Sequence, residues 1–426
     1  MNLNILKLIS FGAILSLFLI TIFVRNKGVF SFLLMFRAFI ELIPLLVLSL
    51  VFFSKNKKIA GDGFLCSLVF SSILLLFVSI FIGAANSAAF KYILSDSVRY
   101  LISFVFIIYT LSHVRTISDK QALVDNIIAF LFFYTSLAMI GKVILLLLGE
   151  RYGAGLNQFL LFPFLIFTLL YGLISKENFI FNIKKKWLLL FLVIGIILSV
   201  LSFKREYWAV LILSLAFSFY YIRRYSTAYL YLFILIIGGV GVAYLNQEML
   251  FSLVNRLQYT FSGQSGLDSS SFERVAEIKG SINVLGENFG YIDYIVGLGV
   301  GAEFNAHPDF PLIKDSTGSQ SGSYHHIHNM YVLILFRNGI VGLFLFIAPV
   351  LAVIWSSFRA SFEIKKGGVN SNYLKYNVYL VGVALQLFTG LISGISSNSF
   401  YGSFFYGIWV VFAFIILDLI KNEKKL

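Results

Sequence analysis

The chain has 426 residues, of which 59% are apolar and 12% charged, with 47 phenylalanines. No soluble domain of this length needs that balance, so composition leaves a polytopic membrane protein. The formal net charge of +13 would suit a nucleic-acid partner, but the basic residues gather in short connections between apolar runs, where they set membrane orientation.

Apolar runs long enough for the bilayer core, about 17–25 residues, or nearly so, fall at 5–24, 29–53, 64–82, 98–113, 122–148, 157–175, 187–203, 207–222, 227–246, 339–358, 376–396 and 401–420. The first run is too long for a signal-peptide core and lacks a clear small-residue cleavage site, so it reads as the first membrane helix. Arg37 and Glu41 lie four residues apart inside the second run. They form either an internal ion pair or a functional pair facing the bundle interior. The single cysteine, Cys66, sits in the third run, which excludes a disulfide framework and a cysteine metal site. Lys142 in the fifth run is read as snorkelling to the outer surface.

The short connections sort into two sets. One carries Lys55, Lys57, Lys58, Arg115, Lys120, Lys176, Lys184, Lys185, Lys186, Arg223, Arg224, Arg359, Lys365, Lys366, Lys375, Lys421, Lys424 and Lys425. The other holds only Arg25, Lys27, Lys91, Arg99, Arg151, Lys204 and Arg205. The first set is cytoplasmic by the positive-inside rule, which puts both termini inside and the polar segment 247–328 outside. The expected architecture is an all-α polytopic membrane protein of about twelve transmembrane helices with one large, partly helical periplasmic loop. Nine spans fall in 1–246, the loop is 247–328, and three spans fall in 329–426. No internal repeat stands out, which weakens an inverted-repeat transporter.

The loop concentrates the polar chemistry. It holds His307, His325, His326 and His328, four of the five histidines, and nine of the twenty acids. Ser269-Ser270-Ser271 precedes Phe272-Glu273-Arg274-Val275-Ala276-Glu277-Ile278-Lys279, a helix start with acids in its first turn. Phe272, Val275, Ala276, Ile282 and Leu285 form its apolar stripe and leave Arg274 on another face. Gly297, Gly299 and Gly301 permit either a plain tight turn or a backbone approach to a phosphate. The histidine run has three readings. It binds metal through His325 and His328, or it is an inert surface run, or it supplies a general base for a hydroxyl. Outward basic residues are few: Arg151, Lys204, Arg205, and in the loop Arg256, Arg274, Lys279 and Lys314. Interfacial anchoring explains Lys204 and Arg205, and a pair with Glu150 explains Arg151. Alternatively, arginines beside a histidine on the outer face point to a phosphate-bearing lipid donor and a hydroxyl acceptor.

Arg151-Tyr-Gly-Ala-Gly-Leu-Asn157, Lys204-Arg205, Arg274 ahead of the Gly297–Gly301 turn, and His328-Asn329-Met330-Tyr331 before Arg337-Asn338-Gly339-Ile340-Val341-Gly342-Leu343 together resemble the O-antigen ligase/polymerase superfamily. The resemblance is best over about 150–345. It implies a GT-C-like glycosyltransferase of the bacterial inner membrane, working on the periplasmic face without metal, nucleotide sugar or other cofactor. The implied donor is a glycan on undecaprenyl pyrophosphate, attacked at its anomeric carbon by an acceptor hydroxyl. Carried over, His328 is the base or the group that positions the hydroxyl, while Arg205 and Arg274 neutralise the pyrophosphate. Arg151, Lys204, Asn157, Asn329 and Tyr331 become candidates for substrate binding. Glu206 stands where the family pattern has a small residue, which puts the geometry around Arg205 in question. His325 and His326 are extra and receive no chemistry.

The family holds polymerases, which extend one lipid-linked chain with repeat units from another, and ligases, which move finished glycan to lipid A-core. The Phe-rich chain and its loose match to the shared motifs favour a polymerase of O-antigen or another surface polysaccharide. A separate chain-length regulator is an expected partner, along with the donor and the bilayer; nucleic acid is not. A transporter of polymer or lipid-linked sugar shares the spans but predicts a repeat and charges spread through the spans, and only Arg37, Glu41 and Lys142 offer anything of that kind.

Overall fold

The computed structural model describes residues 78–94, 96–97, 116–147, 162–174, 184–200, 205–222, 269–285, 287, 290–305, 323–324, 327–366, 371–395 and 404–423. The expected spans at 5–24, 29–53, 98–113 and 227–246, together with Arg37, Glu41 and Cys66, lie outside these residues.

The described part is helical, apart from one two-residue strand pair. The helices are α1 (Ile117–Leu147), α2 (Pro163–Ile174), α3 (Lys185–Val200), α4 (Arg205–Ile222), α5 (Ser269–Val284), α6 (Tyr291–Val296), α7 (Met330–Lys366), α8 (Ser371–Ser393) and α9 (Phe404–Glu423). Strands β1 (Phe304–Asn305) and β2 (Ser323–Tyr324) pair antiparallel, Phe304 opposite Tyr324. Residues 78–85 and 90–94 are also helical. Among the described residues, Ile117–Gly141, Met330–Phe362 and Tyr373–Ser393 are long and apolar enough to cross a membrane.

Local chemistry sets the helix starts. Thr116 caps α1 reciprocally: its hydroxyl accepts from the Asp119 N–H at 3.0 Å, and its own N–H donates to the Asp119 carboxylate at 3.2 Å. Pro163 opens α2 at the position where its missing N–H costs nothing. From Pro163 to Leu173 every α2 side chain is buried, as a helix apolar on all sides requires. It packs against α8, where Phe164 meets Trp409 and Phe412 of α9 at centroid distances of 5.3 and 5.4 Å. Helix α8 is the centre of the bundle, touching α2, α4, α7 and α9.

Lysines from the more basic connections collect at one end of the bundle. Lys120 of α1 pairs with Asp418 of α9, and Lys375 of α8 reaches Asp125 of α1 at 3.2 Å. The opposite end of α7 and α8 carries His328 and the loop elements.

Helix α7 begins at Met330, nine residues before the apolar run at 339–358 that marked it in the sequence. Hydropathy misses this first part because Arg337 and Asn338 look like loop residues. Both are buried. The Arg337 guanidinium pairs with Asp96 at 2.8 Å, their side chains 4% and 3% exposed, and the Asn338 amide oxygen accepts from the Ser79 hydroxyl at 3.0 Å.

Gly339 breaks the helical path of α7 with φ 64 and ψ −169. The kink leaves the carbonyls of Phe336 and Arg337 to accept from Leu298 at 2.8 Å and Gly299 at 2.9 Å. The Val300 N–H goes to the Ser79 carbonyl at 3.1 Å, and the Gly301 N–H to the Asp96 carboxylate at 3.2 Å. Four successive N–H groups of the glycine turn are thus committed inside the protein, and the phosphate-cradle reading gives way to a structural junction. Gly299, at φ 89, lies so close to 79–83 that a Cβ would fall 2.1 Å from the Gly83 nitrogen.

Candidate active site

Helix α5 lies across the start of α7 and touches β1. Its buried face is Ala276, Glu277, Gly280, Ser281 and Leu285. Ile282, expected on the apolar stripe, is 40% exposed. The face is set by what α5 docks onto, and that partner demands an acid. Glu277 accepts from the backbone N–H of His328 at 2.9 Å and faces its ring Nδ1 at 2.8 and 3.0 Å with its two oxygens. The Glu277 side chain is only 9% exposed, while that of His328 is 46% exposed.

A carboxylate against Nδ1 selects the tautomer protonated there, so Nε2 carries the lone pair of the neutral imidazole. The second bond, to the main chain, stops the ring and the start of α7 from moving independently of α5. Arg274 stands three residues before Glu277 on α5, a spacing that makes them neighbours, with Cβ atoms about 5–6 Å apart. Arg274 is partly exposed, and among the described residues its guanidinium has no hydrogen-bond or ion-pair partner. One helix therefore presents both a guanidinium and the carboxylate that orients an imidazole.

Asn329 and Tyr331 flank this histidine in a different way. The Asn329 amide oxygen accepts from the Val332 N–H at 3.0 Å, capping α7, and its NH2 donates to the Ile395 carbonyl at 2.9 Å. The Tyr331 hydroxyl donates to the Leu391 carbonyl at 2.6 Å. Both tie the first turn of α7 to the end of α8, so these two substrate-binding candidates are engaged in holding the fold.

Arg205 is the first residue of α4 rather than part of a turn; its side chain and that of Glu206 lie outside the description. So do Lys204, Arg151, Asn157, His307, His325 and His326. The structure brings together His328 and Glu277, on the helix of Arg274, and does not address the rest of the proposed set. Sequence reading passed over Glu277, whose one signal was an acid inside the buried stripe, between Ala276 and Gly280.

Residues 188–347 match the family model described as O-antigen ligase. A search of curated proteins found no relative that matches the chain. The matched stretch contains Arg205, Arg274, Glu277, His328 and Gly339, and leaves Arg151 and Asn157 outside. Over residues 188–347, less than half of its length, the chain is similar to the O-antigen ligase family.

Proposed function

We propose that the protein is a membrane glycosyltransferase that joins undecaprenyl-pyrophosphate-linked oligosaccharide repeat units into an O-antigen or similar surface polysaccharide. The observation that carries this reading is the Glu277–His328 pair one helical turn from Arg274, all inside the family-matched stretch. His328 Nε2 takes the proton of an acceptor sugar hydroxyl as that oxygen attacks the anomeric carbon of the donor. The bond from the anomeric carbon to the pyrophosphate oxygen breaks, and the lipid pyrophosphate leaves with the electron pair. Glu277 holds the ring in place and stabilises the imidazolium as it forms. Arg274 and Arg205 offset the charge gathering on the pyrophosphate, a task for preorganised guanidinium groups.

The periplasmic side is supported by charge. The lysines paired with Asp125 and Asp418 lie at the end of the bundle remote from His328. Residues 79–96, next to a connection that carries few basic residues, pack on the glycine turn of the loop. This sorting matches the positive-inside rule for an inner-membrane protein with cytoplasmic termini and an outward site.

The family description favours a second reading, a ligase that transfers finished glycan to lipid A-core. The test is reconstitution in proteoliposomes with lipid-pyrophosphate-linked repeat units, with and without lipid A-core. Chain lengthening with repeat units alone establishes the polymerase; transfer only when lipid A-core is present establishes the ligase. If a donor proved active with another enzyme yields neither product, both readings fall.

A further inference from the structure

The loop contains a short helix whose surface does not suit water. In α6, Asp293 is buried and points inward, whereas Tyr291 is 88% exposed and Ile292, Tyr294 and Ile295 are also exposed. The helix end abuts Gly339 of α7, where an added Cβ would meet the Ile295 carbonyl oxygen at 2.2 Å. Directly beyond that contact, α7 begins its own outward apolar stripe: Ile340, Val341, Phe344, Leu351, Trp355, Phe358 and Phe362 are all exposed. At 1.5 Å per residue the stripe from Ile340 to Phe362 is about 33 Å long, close to the roughly 30 Å of a bilayer core. Helix α6 thus sits at the outer edge of that band. Its exposed surface is continuous with a surface that lipid covers, and tyrosine is a preferred residue at this depth.

We infer that α6 lies in the outer membrane–water interface with Tyr291, Ile292 and Ile295 seated among lipid chains, so that residues 291–296 of the loop are a membrane contact and not an extramembrane segment. The seat has a mechanical consequence. The Tyr294 hydroxyl donates to the Leu285 carbonyl at the end of α5, at 3.0 Å. The turn after α6 is stitched to Phe336 and Arg337 of α7. Lipid contact at α6 therefore fixes the height of α5, and with it Arg274 and Glu277, above the bilayer. His328 precedes Ile340 and lies on the other side of the Gly339 kink from the stripe, so the site stands past the outer end of that band. The inference needs only that α7 crosses a bilayer; it is independent of glycosyl transfer.

The test places a single cysteine at Ile292 in a Cys66→Ser background, in nanodiscs, labelled with an environment-sensitive fluorophore. A cysteine at Glu287, exposed in the turn between α5 and α6, is the aqueous reference. A label at 292 should emit to the blue of the one at 287, be quenched by lipids spin-labelled high on the acyl chain, and resist aqueous iodide. Reaction of Ile292→Cys with a membrane-impermeant maleimide should be about tenfold slower than at 287, as burial beneath headgroups implies. Fast maleimide reaction with no lipid quenching overturns the inference. Protection from both iodide and spin-labelled lipid overturns it too, since protein would then cover the face. A Tyr291→Cys reporter gives an independent reading if Ile292→Cys fails to assemble.

Discussion

The Glu277 carboxylate holds His328 at two points, the backbone N–H at 2.9 Å and Nδ1 of the ring at 2.8 Å, although 51 positions separate the two residues. The pair joins α5 to the start of α7 and leaves the imidazole partly open to solvent. A histidine bound only through its ring could swing with its loop. Here the main-chain bond restrains that freedom, as the proposed proton transfer would require.

His328→Ala should lower kcat by about 10²–10⁴-fold, the range for losing a positioned general base. Glu277→Gln keeps a group able to accept from the main-chain N–H but loses the charge that favours imidazolium, so it should fall between wild type and Glu277→Ala. Both Glu277 variants should affect kcat far more than KM. Single-turnover elongation with lipid-linked repeat units in proteoliposomes measures this; an equal rise in KM with unchanged kcat would move Glu277 to substrate binding.

Arg274→Ala should cost about 10²–10³-fold in turnover, comparable to losing one preorganised donor to a developing anion. Arg274→Lys should recover little, because an ammonium cannot make the bidentate contact of a guanidinium. The same assay reads both, with membrane insertion followed by protease accessibility. Lysine restoring full turnover would reduce Arg274 to a generic positive charge.

Asn329→Ala removes the cap of α7 and the tie to Ile395, and should destabilise the protein by about 0.5–2 kcal/mol. Its KM for the lipid-linked donor should stay near wild type. Thermal unfolding in detergent alongside steady-state kinetics separates the roles. A large KM rise at unchanged stability would return Asn329 to the substrate.

Arg337→Leu or Asp96→Leu alone should destabilise by about 3–5 kcal/mol, because each strands a buried charge. The double variant should be much less destabilised than the sum of the two. Unfolding midpoints for the three variants form the cycle, and additive losses would show that the two side chains do not interact.

Gly299→Ala should prevent stable assembly. The new Cβ would fall against the Gly83 backbone at 2.1 Å, and φ 89 strains any L-residue. Yield of monodisperse protein after extraction measures it; normal yield would mean that the junction relaxes.

Much of the helical layout was legible in the chain. Helices occupy the positions of apolar runs five to eight and ten to twelve, since burial in lipid or in a dense bundle needs long apolar stretches whatever the tertiary detail. His328 and Arg274 were legible as candidates, because a polar loop in an apolar chain isolates its titratable groups. Glu277 was not. An acid on a loop helix normally faces solvent, and only the docking of α5 on the start of α7 turns it inward. Arg337 likewise falls just outside the apolar run at 339–358, whereas Asp96, 241 positions earlier, draws it inside.

Composition and periodicity by themselves determined that this is a helical membrane protein, which connections are rich in lysine, and which polar segment gathers histidines and acids. These are properties of local segments, and solvent preference acts segment by segment. Tertiary structure alone decided that Glu277 clamps His328, that the glycine turn spends its N–H groups on α7 and residues 79–96, and that α6 sits at the end of an exposed apolar stripe. Those are pairings between distant residues. Hydropathy cannot choose a partner, because the energy of a buried charge or an unpaired N–H depends on which group the fold brings opposite it.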